Sequence, residues 1–411
     1  MGLLSFLLLS LLLILVHDLS FYLVASCITH LQHSNEVVNV DDYGAYGDGV
    51  TDDREAFEKA WKRACSSHFG ATVVVPANKN YLLKPLLFSG PCKSDITMMI
   101  KGTIDASSNR SDWDGMSIRH WIMFHNLRNF VVTGGGTVNG NGKIWWQNSC
   151  KINRTLPCTV APTALTFFGC KGLRIEDLRI KDSQQIHVSI EKCRDVEVST
   201  LSINAPDESP NTDGIHIANT QNIVISDCEI RTGDDCVSIV SGTRNVKGMN
   251  LFCGPGHGIS IGSLGANNSR DRVSNVFMDT VTLHGTQNGV RIKTWQGGQG
   301  YARRIIFQNI YVRNVHNPII IDQNYCDSTE PCPEKTQAVA ISGVVYKNIK
   351  GTSASFVSMK FNCSRSVPCR GITLQDINLV REDGKHTESS CNHVDWFGNG
   401  EVVPHPCEQK I

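Results

Sequence analysis

The sequence predicts an all-β chain, a single right-handed parallel β-helix of about ten coils with a helix closing its N-terminal end. The first observation behind this is a fixed spacing. Asp213, Asp235 and His257 stand 22 residues apart and then 22 again. Each lies in a short polar turn: Asn211-Thr212-Asp213, Gly233-Asp234-Asp235 and Gly256-His257-Gly258. The second observation is an alternating stretch directly after each turn: Gly214-Ile215-His216-Ile217, Cys236-Val237-Ser238-Ile239 and Gly258-Ile259-Ser260-Ile261. One short strand per fixed period of about 20–30 residues is the pattern of a solenoid.

The third observation is that the period continues outside this cluster. Asn129-Phe130-Val131-Val132, Gly172-Leu173-Arg174-Ile175, Asp195-Val196-Glu197-Val198, Asn222-Ile223-Val224-Ile225 and Asn245-Val246-Lys247-Gly248 share one form, a turn residue followed by a strand entry. The steps from 172 to 195 and from 222 to 245 are 23 residues, and that from 195 to 222 is 27. Fainter copies begin at Arg304, Val339 and Gly371. Gly and Asn at the corners suit the positive φ of tight turns. A β-sandwich has no reason to keep one period over about 200 residues.

Outside the repeat, each end of the chain has its own character. Leu3 to Val16 is almost wholly apolar and Phe21 to Ala25 extends the run, which reads as a signal peptide over residues 1–26 ahead of a β-helix domain over 27–411. The run has no Lys or Arg before it, so an uncleaved anchor is the alternative. Ala56, Phe57, Ala60, Trp61 and Ala64 form an apolar stripe at helical spacing, with Thr51, Asp52 or Asp53 available to cap it. That helix, within 51–66, is the expected N-terminal cover for the exposed strand edges. The glycine-rich run from Gly134 to Gly142 reads as a solenoid turn or cleft loop with no helix after it. The stretch 389–411 shows no repeat and is expected to cap the other end.

Lys plus Arg and Asp plus Glu both number 39, and no basic tract points to nucleic acid. Sixteen cysteines fit an oxidising compartment. Cys150 with Cys158, Cys326 with Cys332, Cys363 with Cys369 and Cys391 with Cys407 form short sequence pairs, and Cys65 with Cys92 and Cys236 with Cys253 are further candidates. Cys170, Cys193 and Cys228 follow the repeat and read as stacked core thiols. There is no CxxC, so a zinc ribbon is not expected, nor any other metal or cofactor. Sequons at Asn109, Asn153, Asn267 and Asn362 suggest a secreted glycoprotein, with no membrane contact once the signal is removed.

In a parallel solenoid, residues one period apart stack ~4.8 Å from one another. Asp213, Asp234, Asp235 and His257 should therefore meet on one patch. Carboxyls that close cannot all ionise easily, so one should keep a proton. A protonated carboxyl beside an ionised one is what glycoside hydrolysis requires, and His257 can tune the pair. In Gly289-Val290-Arg291-Ile292-Lys293, alternation puts Arg291 and Lys293 on the same outward face. Two cations beside that cluster suggest an anionic sugar as ligand. Tyr325 is placed to stack or hydrogen-bond on a sugar ring.

The four motifs Asn211-Thr212-Asp213, Gly233-Asp234-Asp235, Gly256-His257-Gly258 and Arg291-Ile292-Lys293 resemble, in order, the signature motifs of the polygalacturonases of glycoside hydrolase family 28. Ser209 to Ile215, Cys253 to Gly265 and Asn288 to Gly298 are similar to the plant branch. Asp42 to Asp53 resembles the N-terminal segment of pectin-lyase-like β-helices. The resemblance implies a secreted, monomeric cell-wall enzyme that hydrolyses the α-1,4 linkages of pectin or polygalacturonate with inversion and without a cofactor. It assigns Asp234 as general acid, Asp213 and Asp235 to the attacking water, and His257 to the acid's proton state. Arg291 and Lys293 would bind the galacturonate carboxylate, supported by Asn211 and Tyr325.

Two features pull against one another. Inverting sites separate their carboxyls by ~6.5–9.5 Å, whereas neighbouring coils are ~4.8 Å apart. A calcium-dependent pectate lyase, a non-catalytic pectin-binding β-helix and a rhamnogalacturonan or xylogalacturonan hydrolase are the other readings, and the Arg291-Ile292-Lys293 match speaks against the rhamnogalacturonan one. Endo action is the preferred mode, with 107–119, 145–162 and 294–300 as the loops that would shape the cleft ends.

Overall fold

The computed structural model describes residues 2, 16, 17, 35–113, 119–328 and 332–407, so the signal peptide expected over 1–26 falls almost wholly outside the described residues. Strands dominate and form two sheets, one of 17 strands and one of 11. The pairings along both are parallel. Each coil contributes one strand to the smaller sheet, which makes it eleven coils deep, close to the ten expected.

The corners explain the Asn and Gly pattern. Asp195, Asn222, Asn245 and Asn275 stack one above another with φ of 57°, 58°, 58° and 57°. Side chains of Asn and Asp tolerate this left-handed region better than most. Here they also bond along the stack: Asn222 Nδ2 donates to Asp195 Oδ1 at 2.8 Å, Asn245 to Asn222 at 2.8 Å and Asn275 to Asn245 at 2.7 Å. A second left-handed column at Asp177, Thr200 and Asp227 bends the long strands of the larger sheet near their middles.

Inside, the register turns alternation into columns. Ile215, Val237, Ile259, Val290, Ile319 and Met359 form one, and Ile217, Ile239, Ile261, Ile292, Ile321 and Phe361 another. All twelve are 0% exposed. Toward the N-terminal end Phe88, Phe124 and Phe167 stack with centroids 5.1 Å apart at each step. The Arg54–Cys65 helix buries Ala56, Phe57, Ala60, Trp61 and Ala64, and Trp61 packs on Phe88, Phe124 and Phe130.

Several local expectations change. Asp53 stands at the helix cap position but does not cap. Its buried carboxylate instead accepts from the Tyr46 and Gly47 amides at 2.7 and 3.1 Å, while Asp52 takes the Arg54 amide at 3.1 Å. The repeat copy read at Val339 actually begins at Gly343: Ile305 pairs with Val344, which in turn pairs with Ile372. A one-turn helix, Lys143–Trp146, does follow the glycine run. The stretch beyond 388 adds a rung to each sheet, Glu388–Asn392 and Val394–Val403, although no repeat is visible there. All six cysteine pairs form disulfides, and Cys170, Cys193 and Cys228 are free and buried.

Stacked columns leave little room for relaxation. Ile217→Ala, in the middle of its column, is expected to cost about 2–5 kcal/mol, measured as a lower guanidinium unfolding midpoint. An unchanged midpoint would contradict the packing described.

Candidate active site

The cleft lies on the outer face of the smaller sheet, across strands Ile215–Ala218, Asp235–Ile239, Gly258–Leu264, Asn288–Trp295 and Asn317–Tyr325. It encloses about 530 Å³ and is lined by Asn211, Asp213, Asp234, Asp235, His257, Arg291, Lys293 and Tyr325, all eight residues singled out in the sequence. Two grooves on the larger sheet enclose about 580 and 810 Å³, but neither includes a histidine or a comparable meeting of charges, so volume does not decide the assignment.

Two irregularities of the repeat build the site. Between strands Arg194–Asn204 and Ile215–Ala218 the offset to the preceding coil grows from 23 to 27 residues, as Lys181 pairs with Asn204 but Val188 with Ile215. The added residues form the wall that carries Asn211 and Asp213. The second irregularity is a register shift between Asp235 and Val237. Asp235 faces Gly258, whereas Val237 faces Ile259. His257 consequently sits beside Asp234 and not beside Asp235. The His257 amide donates to the Asp234 carbonyl at 2.8 Å, and His257 Nδ1 lies 2.9 Å from Asp234 Oδ1.

The three carboxyls meet different partners. Asp235 accepts from Ser260 Oγ at 2.7 Å and Arg291 Nη2 at 2.6 Å on one oxygen, and from Lys293 Nζ at 3.0 Å on the other. Its side chain is 3% exposed, and those of Arg291 and Lys293 are 11% exposed. Arg291 Nε also donates to Ser260 Oγ at 2.9 Å. Asp234 has His257, its neighbour's amide at 2.8 Å and Asn211 Nδ2 at 3.4 Å. Asp213 Oδ2 accepts from Ser238 Oγ at 2.7 Å. That hydroxyl spends its proton on Asp213, so His216 Nδ1, 2.8 Å away, must donate to it.

These contacts set the proton affinities. Burial, and then the charges of Asp234 and Asp235, push Asp213 well above the usual carboxylate range. Burial opposes ionisation of Asp234 as well, but the His257 contact and the Lys293 charge prevail and hold it below that range. Asp213 is thus the carboxyl that most readily keeps a proton in the substrate-free chain. Burial lowers His216 and drives His187 to about 4. His187 is therefore neutral, with Nδ1 donating to the Asp213 backbone carbonyl at 2.9 Å. Burial, then Asp327, raises the Tyr325 hydroxyl to about 12. The Tyr325 ring stands edge-on to Trp295, 5.3 Å between centroids, with Lys293 Nζ 5.4 Å from its centre.

Asp234, Asp235 and His257 present ligand atoms within 4.8 Å of one another. Calcium takes about six to eight oxygen ligands, and Asp235 already carries two cationic side chains, so this donor set suits proton transfer better than a divalent ion. Sequence reasoning missed Ser238, Ser260, His216, His187, Lys151 and Asp327. The two serines stood in plain view, 22 residues apart at the same position of each repeat. Among the sequons, Asn109, Asn153 and Asn267 are exposed. Asn362 is half-buried on the cleft sheet and its amide donates to Asp322 Oδ1 at 2.9 Å, a less accessible acceptor than the sequence suggested.

Residues 65–405 match the family described as glycosyl hydrolases family 28. The chain belongs to glycosyl hydrolases family 28. Within it, the chain is 58% identical over 357 residues to a polygalacturonase of Persea americana, covering 87% of this chain and 77% of that protein. It is 55% identical over 370 residues to polygalacturonase-2 of Solanum lycopersicum, covering 90% and 80%. The fold is similar to that of an exopolygalacturonase from Thermotoga maritima, with TM-score 0.75, 19% identity and coverage of 91% and 93%. It is also similar to an endo-xylogalacturonan hydrolase from Aspergillus tubingensis, with TM-score 0.77, 23% identity and coverage of 89% and 100%.

The family 28 chain holds the Asp213 proton more tightly when folded than when unfolded. Its stability therefore falls as pH rises from about 4 through the raised value. Asp213→Asn removes this loss and keeps an acceptor for Ser238. The variant's gain in Tm over the parent should be larger at about pH 7 than at about pH 4; equal shifts at both would contradict the assignment.

Proposed function

We propose that the protein is a polygalacturonase: a secreted, monomeric glycosidase that hydrolyses α-1,4-galacturonosyl linkages of plant cell-wall pectin. The observation that carries this reading is the meeting of three carboxyls with two buried cations on the floor of one polar cleft, in a chain closely similar to plant polygalacturonases. Six disulfides fit the oxidising compartment that secretion implies.

Asp234 donates a proton to the glycosidic oxygen, and that oxygen leaves with the bonding electron pair. Water attacks the anomeric carbon from the opposite face and gives a proton to whichever of Asp213 and Asp235 is ionised. The order of proton affinities in the empty cleft is the reverse of what an acid at Asp234 needs, because the His257 contact and the Lys293 charge hold Asp234 low. His257 Nδ1 lies one hydrogen bond from Asp234 Oδ1. An arriving galacturonate adds negative charge beside the pair and raises the proton affinity of Asp234.

Asp235 has donors on three of its about four acceptor positions, which ties it down and makes it a poor nucleophile. Its role is to hold water and the cations. Arg291 has committed two of its N–H groups, to Ser260 and Asp235. The rest of its fork, with the other two donors of Lys293, is available to a sugar carboxylate.

The test is digestion of polygalacturonate. Reducing ends should appear without an ultraviolet-absorbing unsaturated product, and a chelator should have no effect. Asp234→Asn should lower kcat by about 10²–10⁴-fold with KM little changed. Full activity in that variant refutes the assigned acid, and a chelator-sensitive unsaturated product establishes a lyase instead.

A further inference from the structure

One ion pair at the cleft owes nothing to the repeat. Lys151 sits in the loop closed by the Cys150–Cys158 disulfide, and Asp327 follows Cys326 in the loop closed by Cys326–Cys332. They are 176 positions apart, yet Lys151 Nζ lies 2.8 and 2.9 Å from the two oxygens of Asp327. Both residues line the cavity that holds Asp213, Asp234 and Asp235. Two disulfide-closed loops thus bring a bidentate cation–carboxylate contact to the rim of the candidate active site.

The pair is solvated, with side chains 47% and 52% exposed. Ion pairs of that kind add little to stability, so a competing carboxylate can replace Asp327 at small cost. The contact also lines the same cleft as the cations of its floor. Lys293 bridges Asp235 and the face of the Tyr325 ring, and Asp327 stands two residues beyond Tyr325. A galacturonan carries one carboxylate per sugar, so a chain with one carboxylate at Arg291 and Lys293 presents the next ones farther along the cleft.

We propose that Lys151 is a second carboxylate-reading residue, which binds a neighbouring galacturonate by exchanging Asp327 for the sugar carboxylate. Asp327 is then an internal competitor. It keeps the ammonium aimed into the cleft when no substrate is present and sets an affinity threshold that an uncharged, esterified sugar cannot meet. This inference rests on the polygalacturonase reading and specifies how that site selects charge away from the reacting bond.

The two partners have opposite expected effects, which separates this role from a structural clasp. With polygalacturonate at low ionic strength, Lys151→Gln should raise KM by about 2–5-fold. Asp327→Asn, which frees the ammonium, should lower KM by a similar factor. Both effects should fall on KM and not kcat, and Tm should stay at the parent value in both variants. A clasp that only shapes the loops would move KM the same way in both, and that result, or unchanged KM in both, overturns the proposal. A parent enzyme that releases no reducing ends from polygalacturonate would instead overturn the polygalacturonase reading itself.

Discussion

The cleft depends on strand register. In a parallel solenoid with one strand per coil, a residue is fixed in height by its neighbour in the coil below, at ~4.8 Å per step. The stacked columns of Ile217, Ile239, Ile261 and Ile292 lock that register from inside. On the outer face the same register forces Asp213, Asp234 and Asp235 together, which no flexible loop would do unaided. Crowded carboxyls are costly unless paired. The coil after His257 supplies the compensation, because Arg291 and Lys293 alternate outward from the same strand whose Val290 and Ile292 complete the core.

The compensation is unequal, and that inequality separates the roles. Asp235 receives three donors, two of them cationic. Asp234 receives the imidazole of His257. Asp213 is buried with one side-chain hydroxyl and faces the repulsion of the other two, so its proton is held. His187 and His216, kept neutral by burial, steady the Asp213 backbone and the Ser238 hydroxyl without adding charge. A site with one carboxyl left under strain sacrifices some stability for reactivity, a common pattern in active sites.

The fold and eight of the residues that line the cleft were legible in the sequence because the periodic part of a solenoid repeats its own evidence. Apart from Ser238 and Ser260, which keep the period, most of what remained hidden was aperiodic. The bulge at Cys236 is a single-residue irregularity, which the equal spacing of Asp213, Asp235 and His257 concealed. Lys151 and Asp327 meet through loops that keep no period. The last coil lost its pattern because its outer side faces solvent, where residues such as Phe397 are exposed and alternation is no longer enforced. Asp53 looked like a helix cap, but a buried turn competed for its carboxylate.

Closely spaced carboxyls leave the stereochemistry as the sharpest question. Oxygens of Asp234 and Asp235 approach within 4.8 Å, nearer than the ~6.5–9.5 Å usual for inverting pairs. The three donors that hold Asp235 reconcile this with inversion, because they leave attack to a water molecule. Proton NMR of the first products released from an oligogalacturonide reads the outcome directly. New reducing ends that appear first as the β-anomer, inverted from the α-linkage, are the predicted result. New ends that appear first as the α-anomer would mean a covalent intermediate on an aspartate and would contradict this mechanism.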